Sequence, residues 1–302
     1  MKKFLFVITL FSFIISLCSC GGYREIERGY IVTALGFDKK GKNKLTVSAE
    51  VVSAGGNERA NAPYSEILEG EGISPGEALF LLNNEISKEL FFEHCSAVIL
   101  GEDLSDEQTK EIFVFLENLR ELNKSLSVLV TKNSKELLNG SESVSIAKGF
   151  DIERNINESR KETGENYQNS FYEVDKLYKN GEIYALPELK LEQKKIIVSG
   201  ESVFKRNKKK IKLNAKESLI YSILKGNNKG GRFYMDKAFG DVIKFRIKNE
   251  NGNLARLDVY VKRDRGDFEK NLQKNTDNFL KKYKNSFENF PYEVKVKVRR
   301  SR

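Results

Sequence analysis

The sequence predicts an α+β protein with mixed, mostly antiparallel sheets, packed helices and more than one domain. Several short segments alternate apolar and polar residues, as strands with one buried face do. Helices with recognisable capping residues lie between these segments. The chain has 302 residues, enough for two domains or three small ones, and its 39% hydrophobic and 31% charged residues are typical of a globular protein. We predict an N-terminal α+β part over residues 20–192 and a C-terminal α+β domain over residues 193–302.

The N-terminus has the pattern of a lipoprotein signal peptide. Two lysines precede an apolar run from Phe4 to Leu17, which is shorter than the ~20 residues of a membrane span and suits a signal-peptide core. The run closes with the letters LCSC. A cleavage site before Cys20 has leucine three positions upstream and serine directly upstream, as in a bacterial lipobox, whereas Cys18 would place leucine directly before the cut. We therefore predict a signal peptide over residues 1–19 and a lipid on the Cys20 sulfur.

Two alternatives for this segment are an ordinary secretory signal with incidental cysteines and a paired-cysteine metal site. The metal site lacks a histidine or acidic ligand within reach. If Cys20 is acylated, Cys95 has no partner, so the sequence predicts a fold without disulfides. No later apolar run reaches membrane-spanning length. These features predict a folded ectodomain that is tethered to a bilayer by its lipid.

The first half of the chain is predicted to interleave strands and helices. In residues 44–52, aliphatic side chains occupy one face of a strand and Thr46, Ser48 and Glu50 the other. The letters SPGE from Ser74 combine a capping box with proline at the first helical position. In order, the predicted elements are hairpin strands over 30–37 and 44–52, a loop over 53–66, a helix capped by Ser74, a strand over 96–100, a helix capped by Ser105, a strand over 125–131 and a short helix over 134–139.

The second half begins with a charged, asparagine-rich stretch over residues 141–182, which is predicted to hold loops and solvated helices. An extended connector is predicted over residues 183–191. The letters NG at Asn251 predict the turn of a later hairpin. The remaining predicted elements are strands over 196–198 and 201–204, a basic turn over 205–210, a helix capped by Asn214, hairpin strands over 243–247 and 257–261, a helix over 267–287 and a strand over 294–298.

His94 and Cys95 are the pair that could form a cysteine–histidine nucleophile, and His94 is the chain's single histidine. Neighbouring residues of an extended segment point to opposite faces, so thiol and imidazole would not meet. We predict packing or a surface polar contact for His94. One histidine and one remaining thiol also argue against a zinc site. The sequence predicts neither a catalytic set nor a cofactor or metal.

Other charged segments have structural interpretations. Residues 225–231 contain lysine and glycine but follow a predicted helix and lack the order of a phosphate-binding loop, which indicates a helix end and a turn. Among 43 carboxylates, no hydrolytic pair is marked by its surroundings. The basic cluster over residues 205–212 is predicted to be a solvated hairpin tip, with anionic lipid headgroups as the alternative contact. A nucleic-acid site would need interleaved aromatic side chains or a known module, so we predict no nucleic-acid partner.

Several segments in the same order resemble the Ger(x)C family of spore germination lipoproteins. The resemblance runs through nearly the whole mature chain, although no single motif carries it alone. The segments are YREIERGYIVTALGFDKKG over residues 23–41 after the acylated cysteine, the capped helix and histidine-bearing strand over residues 70–104, ALPELKL over residues 185–191, the segment over residues 198–227 that ends in LKGN, and the closing strand over residues 287–300.

The resemblance implies a function that composition does not. It implies the C subunit of a spore germinant receptor, a mixed α/β protein that is not an enzyme. Such a subunit acts with membrane-embedded A- and B-type subunits, contacts the bilayer through its acylated cysteine, and sits on the outer face of the spore's inner membrane. The family implies a part in the nutrient response. No ligand-binding residue is carried over to this chain.

The sequence departs from the family in two places. Gly21 and Gly22 stand where the family usually has tryptophan and aspartate after the acylated cysteine. A single helix over residues 267–287 separates the last hairpin from the last strand, where the family usually has a longer helical passage and a further segment. This departure predicts that the C-terminal domain over residues 193–302 is abbreviated. The rival functions are a substrate-binding lipoprotein of a transporter, which usually needs two larger lobes around a cleft, and a surface hydrolase.

Overall fold

The computed structural model describes residues 29–53, 64–86, 88–164, 167, 169–205, 208–251, 254–283, 286–287 and 290–300. These ranges contain thirteen strands and seven helices, arranged around one sheet of nine strands and one of four. Both sheets pair strands in parallel and antiparallel directions, and helices pack against both. The predicted α+β class is confirmed.

The nine-stranded sheet extends through the first two thirds of the chain. Its strands are β1 (Tyr30–Lys40), β2 (Lys44–Ser53), β3 (Tyr64–Gly72), β4 (Leu90–Phe91), β5 (Ala97–Gly101), β6 (Ser127–Thr131), β7 (Ile183–Glu192), β8 (Lys195–Lys205) and β9 (Lys208–Asn214). The order is β3-β2-β1-β5-β6-β7-β8-β9, and β4 pairs with β1. The four central strands run parallel, whereas antiparallel strands extend the sheet at both ends. The predicted first hairpin is the β1–β2 pair.

Five helices cover the two faces of this sheet, so its central strands are buried on both sides. They are α1 (Pro75–Glu85), α2 (Asp106–Asn118), α3 (Ser134–Gly140), α4 (Lys148–Thr163) and α5 (Phe171–Lys179). Buried side chains of α1, α2 and α5 share one hydrophobic core with the sheet. Those of α3 and α4 share a second core on the opposite face. Burial on both faces is typical of parallel strands.

The predicted helix caps are present. The Ser105 hydroxyl accepts a hydrogen bond from the Gln108 backbone, and the Gln108 side chain accepts one from the Ser105 backbone. At α1 the Ser74 hydroxyl accepts from the Glu77 backbone at 3.2 Å. The Glu77 carboxylate accepts instead from the Ile73 backbone N–H, at 2.6 Å. Each cap therefore satisfies backbone N–H groups that a helix leaves without an internal partner.

The four-stranded sheet forms the last part of the fold. Its elements are α6 (Ala215–Leu224), β10 (Gly231–Met235), β11 (Ala238–Asn251), β12 (Leu254–Arg265), α7 (Phe268–Tyr283) and β13 (Glu293–Arg300). The strand order is β10-β11-β12-β13. The first three strands are antiparallel, and β13 pairs parallel to β12 after the crossover through α7. One face of the sheet packs on α6 and α7, in a core that Val203 and Leu213 of the larger sheet also enter.

The structure differs from the sequence interpretation in several loops. Residues 64–66 belong to β3 and not to a loop, while residues 54–63 lie outside the described part. The extended connector is strand β7. In the charged stretch over residues 141–182, the predicted helices are α4 and α5. The helices bury Ile152 and Ile156 on α4 and Phe171 and Val174 on α5, which is enough to fix them although Phe150 and Tyr172 are exposed. The domain division after residue 192 stays a prediction; β7 and β8 pair across it.

Candidate functional site

The predicted lipid-attachment residue lies outside the described part of the chain. Cys20, the competing Cys18 and the predicted signal peptide over residues 1–19 all precede residue 29, where the description begins. Lipid attachment therefore stays a prediction. Among the described residues, no helix combines the length and apolar character that crossing a bilayer requires.

The structure separates the side chains of His94 and Cys95. Cys95 is 2% exposed, and its thiol donates to the Ala97 carbonyl at 3.5 Å, whereas His94 is exposed. Burial raises the pKa of the Cys95 thiol to about 12, so the thiol is protonated at neutral pH. A protonated, buried thiol is neither a nucleophile nor a metal ligand. Within the described residues, no three or more His, Cys, Asp and Glu side chains are grouped to hold a metal ion.

Substitution of His94 should therefore have little effect. We expect His94→Asn to fold and unfold as the wild type does, within about 0.5 kcal/mol, because the imidazole is exposed. On the role that the family resemblance implies, spores carrying this variant should germinate normally. Circular dichroism melting checks the fold, and a germination assay checks that implied role. A stable, correctly located His94→Asn protein without activity would restore the catalytic interpretation.

Two buried carboxylates of the large sheet accept hydrogen bonds from the N-termini of helices. The sequence did not predict this role. Glu50 is fully buried; it accepts from the Thr33 hydroxyl at 2.7 Å and from the Lys148 and Gly149 backbone N–H groups at 2.9 and 2.8 Å. A carboxylate at a helix N-terminus satisfies backbone N–H groups and interacts favourably with the helix dipole. Glu50 thereby fixes the start of α4, so its observed bonds serve the fold.

Asp38 has the same task at α3. Its carboxylate accepts from the Ser134 backbone and hydroxyl at 2.8 and 2.7 Å, and from the Lys135 backbone at 2.8 Å. The sequence contains only a weak indication of this role for Asp38, because an acidic residue at the end of a strand is usually solvated. Only the position of α3 over β1 turns this acid into a cap.

A groove of about 630 Å³ lies between α4 and β8. Asp151 and Arg154 form an ion pair in its wall, and Ile196, Ile197 and Val198 contribute apolar surface. Although burial favours the neutral acid, hydrogen bonds from Ser143, Val144 and Ser145 hold the pKa of Asp151 below its usual value. The charges of Asp151 and Arg154 are therefore paired with each other, and this pair has a structural role.

A second, smaller cavity of about 250 Å³ lies where the large sheet meets α6. Its lining includes Tyr184, Tyr221 and the buried Glu201. Burial raises the pKa of both phenols, and the charge of Glu201 adds to this effect at Tyr221. Both tyrosines therefore stay protonated at neutral pH and can donate hydrogen bonds, but neither can act as a base.

Apolar side chains are exposed on α1, α2 and the turn before α1. Phe80 is 63% exposed, and Ile73, Leu81 and Val114 are also exposed. A groove of about 370 Å³ between the start of α1 and the side of α2 includes Val114 in its lining. Exposed apolar side chains of this kind are common at contact surfaces.

Comparison with known proteins identifies the family. The family model described as the spore germination protein N-terminal domain matches residues 22–191, more than half of the chain. The crystal structure of the GerBC protein aligns with a TM-score of 0.44 at 16% sequence identity, covering 88% of this chain and 95% of that one. No curated protein matches. On the family match, the chain belongs to the Ger(x)C family of spore germination proteins.

Proposed function

We propose that this protein is the C subunit of a spore germinant receptor. The observation that carries the proposal is the spore germination family match over residues 22–191. In this role the protein is a lipoprotein on the outer face of the spore's inner membrane, anchored through acylated Cys20. It acts with the membrane-embedded A- and B-type subunits in the response to nutrients.

The subunit works by contact and not by catalysis. The described candidates for chemistry support this interpretation: the Cys95 thiol is buried and protonated, and the Glu50 and Asp38 carboxylates are bonded to helix starts. The exposed apolar side chains of α1 and α2 supply the kind of surface that a partner can bury. A lipid anchor raises the local concentration of such a surface next to membrane-embedded partners.

Removal of this subunit should lower the abundance of its partners. Subunits that bind only folded partners stabilise them by mass action. In spores that lack this protein and any paralogue, we expect less of the A- and B-type subunits and a loss of the response to at least one nutrient. Quantitative immunoblotting and germination assays measure both effects, with complementation by the wild-type chain as the control. Unchanged partner levels with lost uptake of a solute would favour the transporter-lipoprotein alternative.

A further inference from the structure

The positive charge of the chain is distributed unevenly. The net charge is +9, yet residues 1–214 contain slightly more acidic than basic side chains. The whole excess therefore lies in residues 215–302, which form α6, α7 and the four-stranded sheet. A charge excess confined to one part of a fold indicates a directed electrostatic field and not a general solubility effect.

Strand register places much of this charge on one face of the sheet. On β12, Leu257, Val259 and their alternate neighbours face the helices, so the residues between them face outward. The pairing aligns β11, β12 and β13 in three outward rows of three residues each. The rows, which we call the basic grid, are Lys248, Arg256 and Lys295; Arg246, Asp258 and Lys297; and Lys244, Tyr260 and Arg299.

The basic grid is uncompensated. Its one acid, Asp258, is 1% exposed and bonded to the Arg299 side chain at 3.1 Å, with Arg256 at 3.4 Å. Although its covered position favours the neutral acid, Arg299, Arg256 and Lys248 hold the pKa of Asp258 below its usual value. At one end Glu250 pairs with Arg256 at 3.0 Å, and Glu293 begins β13. The grid therefore contains seven cationic side chains. Within the described residues, the carboxylates near them are only three: Asp258 and Glu250, which are paired, and Glu293 at the border.

This arrangement costs stability. Lys248, Arg256 and Lys295 are direct cross-strand neighbours, and like charges in such positions repel each other. The lysines of the grid are exposed, so they add no buried packing. A bound anionic surface would make the electrostatic free energy of these cations favourable. It would screen the repulsion between them and would also attract each of them.

We propose that the basic grid binds the anionic phospholipid headgroups of a bilayer. Side chains recur about every 6.8 Å along each strand, and strands are about 4.8 Å apart, so the cations spread over a plane and do not converge on one anion. A bilayer presents monovalent phosphates over a plane. Single-stranded nucleic acid would need free aromatic side chains for stacking; Tyr260 is the grid's one aromatic residue and already lies under the Lys244 ammonium, 4.8 Å from its ring centre.

The inference adds orientation to the proposed function. A lipid on Cys20 would attach the chain at one point, whereas the grid would lay the four-stranded sheet against the membrane. The two contacts are independent, because the grid would bind anionic vesicles even if Cys20 were never acylated. If the grid does not bind anionic lipid, the receptor proposal still stands. If Cys20 is not acylated, the proposal for the grid still stands.

The test uses the full chain with vesicles of phosphatidylcholine alone or of equal parts phosphatidylcholine and phosphatidylglycerol. The test variant combines Lys248→Gln, Lys295→Gln and Lys297→Gln. The matched control combines Lys39→Gln, Lys132→Gln and Lys190→Gln. These lysines are exposed; Lys39 and Lys190 belong to the large sheet, and Lys132 directly follows β6. Both variants lose the same charge. Any contribution of residues 1–28 to binding a given vesicle is the same in wild type and in both variants.

We expect the test variant to bind the anionic vesicles about 100-fold more weakly than wild type, since each basic residue near an anionic surface contributes about 1 kcal/mol. The control should bind as wild type does, and added salt should remove the difference. Equal wild-type binding to neutral and anionic vesicles would overturn the proposal, as would equal losses in both variants. RNA binding that is weakened by the test variant, without any preference for anionic lipid, would assign the grid to nucleic acid. Unchanged thermal unfolding of both variants ensures that the comparison concerns folded protein.

Discussion

Leu82→Asp should unfold the protein. Leu82 lies on the inner face of α1, is 2% exposed, and belongs to the core beneath the large sheet. The helix approaches β3 so closely that a Cβ added to Gly70 would stand 2.8 Å from the Leu82 Cβ. The side chain therefore has no room to turn toward water. Loss of a buried leucine together with burial of a charge should cost about 5 kcal/mol or more, comparable with the whole stability of many domains.

The neighbouring residue provides the matched control. Leu81 is 42% exposed on the same helix, so Leu81→Asp should change the free energy of unfolding by less than about 1 kcal/mol. Denaturant unfolding followed by circular dichroism compares the two variants. On the proposed function, Leu82→Asp in spores should remove the protein and with it the nutrient response, because unfolded chains are degraded. Equal stability of the two variants would show that α1 is not packed as the structure has it.

Cys20→Ala should release the protein from the membrane or leave its precursor unprocessed. A diacylglycerol on Cys20 would bury many methylene groups, each worth about 0.8 kcal/mol, and two acyl chains anchor stably where one does not. Cys18→Ala is the control and should change neither processing nor location. Membrane fractionation measures the location, and mass spectrometry of the mature N-terminus measures the modification.

The anchor prediction has a clear contrary result. An unmodified N-terminus that begins beyond residue 20 would show an ordinary secretory signal, and the bilayer would then have to be reached in another way. If the protein is anchored as proposed, overexpression of the Cys20→Ala form should partly rescue the germination response. The folded surface would still bind its partners, and the lipid would only have raised its local concentration.

Buried polar residues show where sequence patterns mislead. Alternation in residues 44–52 predicted a strand with Thr46, Ser48 and Glu50 on the face opposite the aliphatic side chains. Such a polar face is usually solvated, yet all three residues are buried. The strand itself was correct, because alternation is a local property of the chain. The second face is covered by helices that lie about a hundred residues further along, and Lys148 and Gly149 supply the donors that make burial of Glu50 favourable. No local pattern contains those partners.

Local chemistry alone determined the capped helix starts, the two hairpins and the strand after α7, because caps and turns depend on residues a few positions apart. The ordered motifs likewise identified the family without coordinates. Only the tertiary structure decided that β3 and β7 are strands, that Asp38 and Glu50 hold helices, and that Lys248 lies in one row with Lys295. These features depend on contacts between segments that are distant in the chain, and a pairing register is set by the packing of both faces and not by either strand alone.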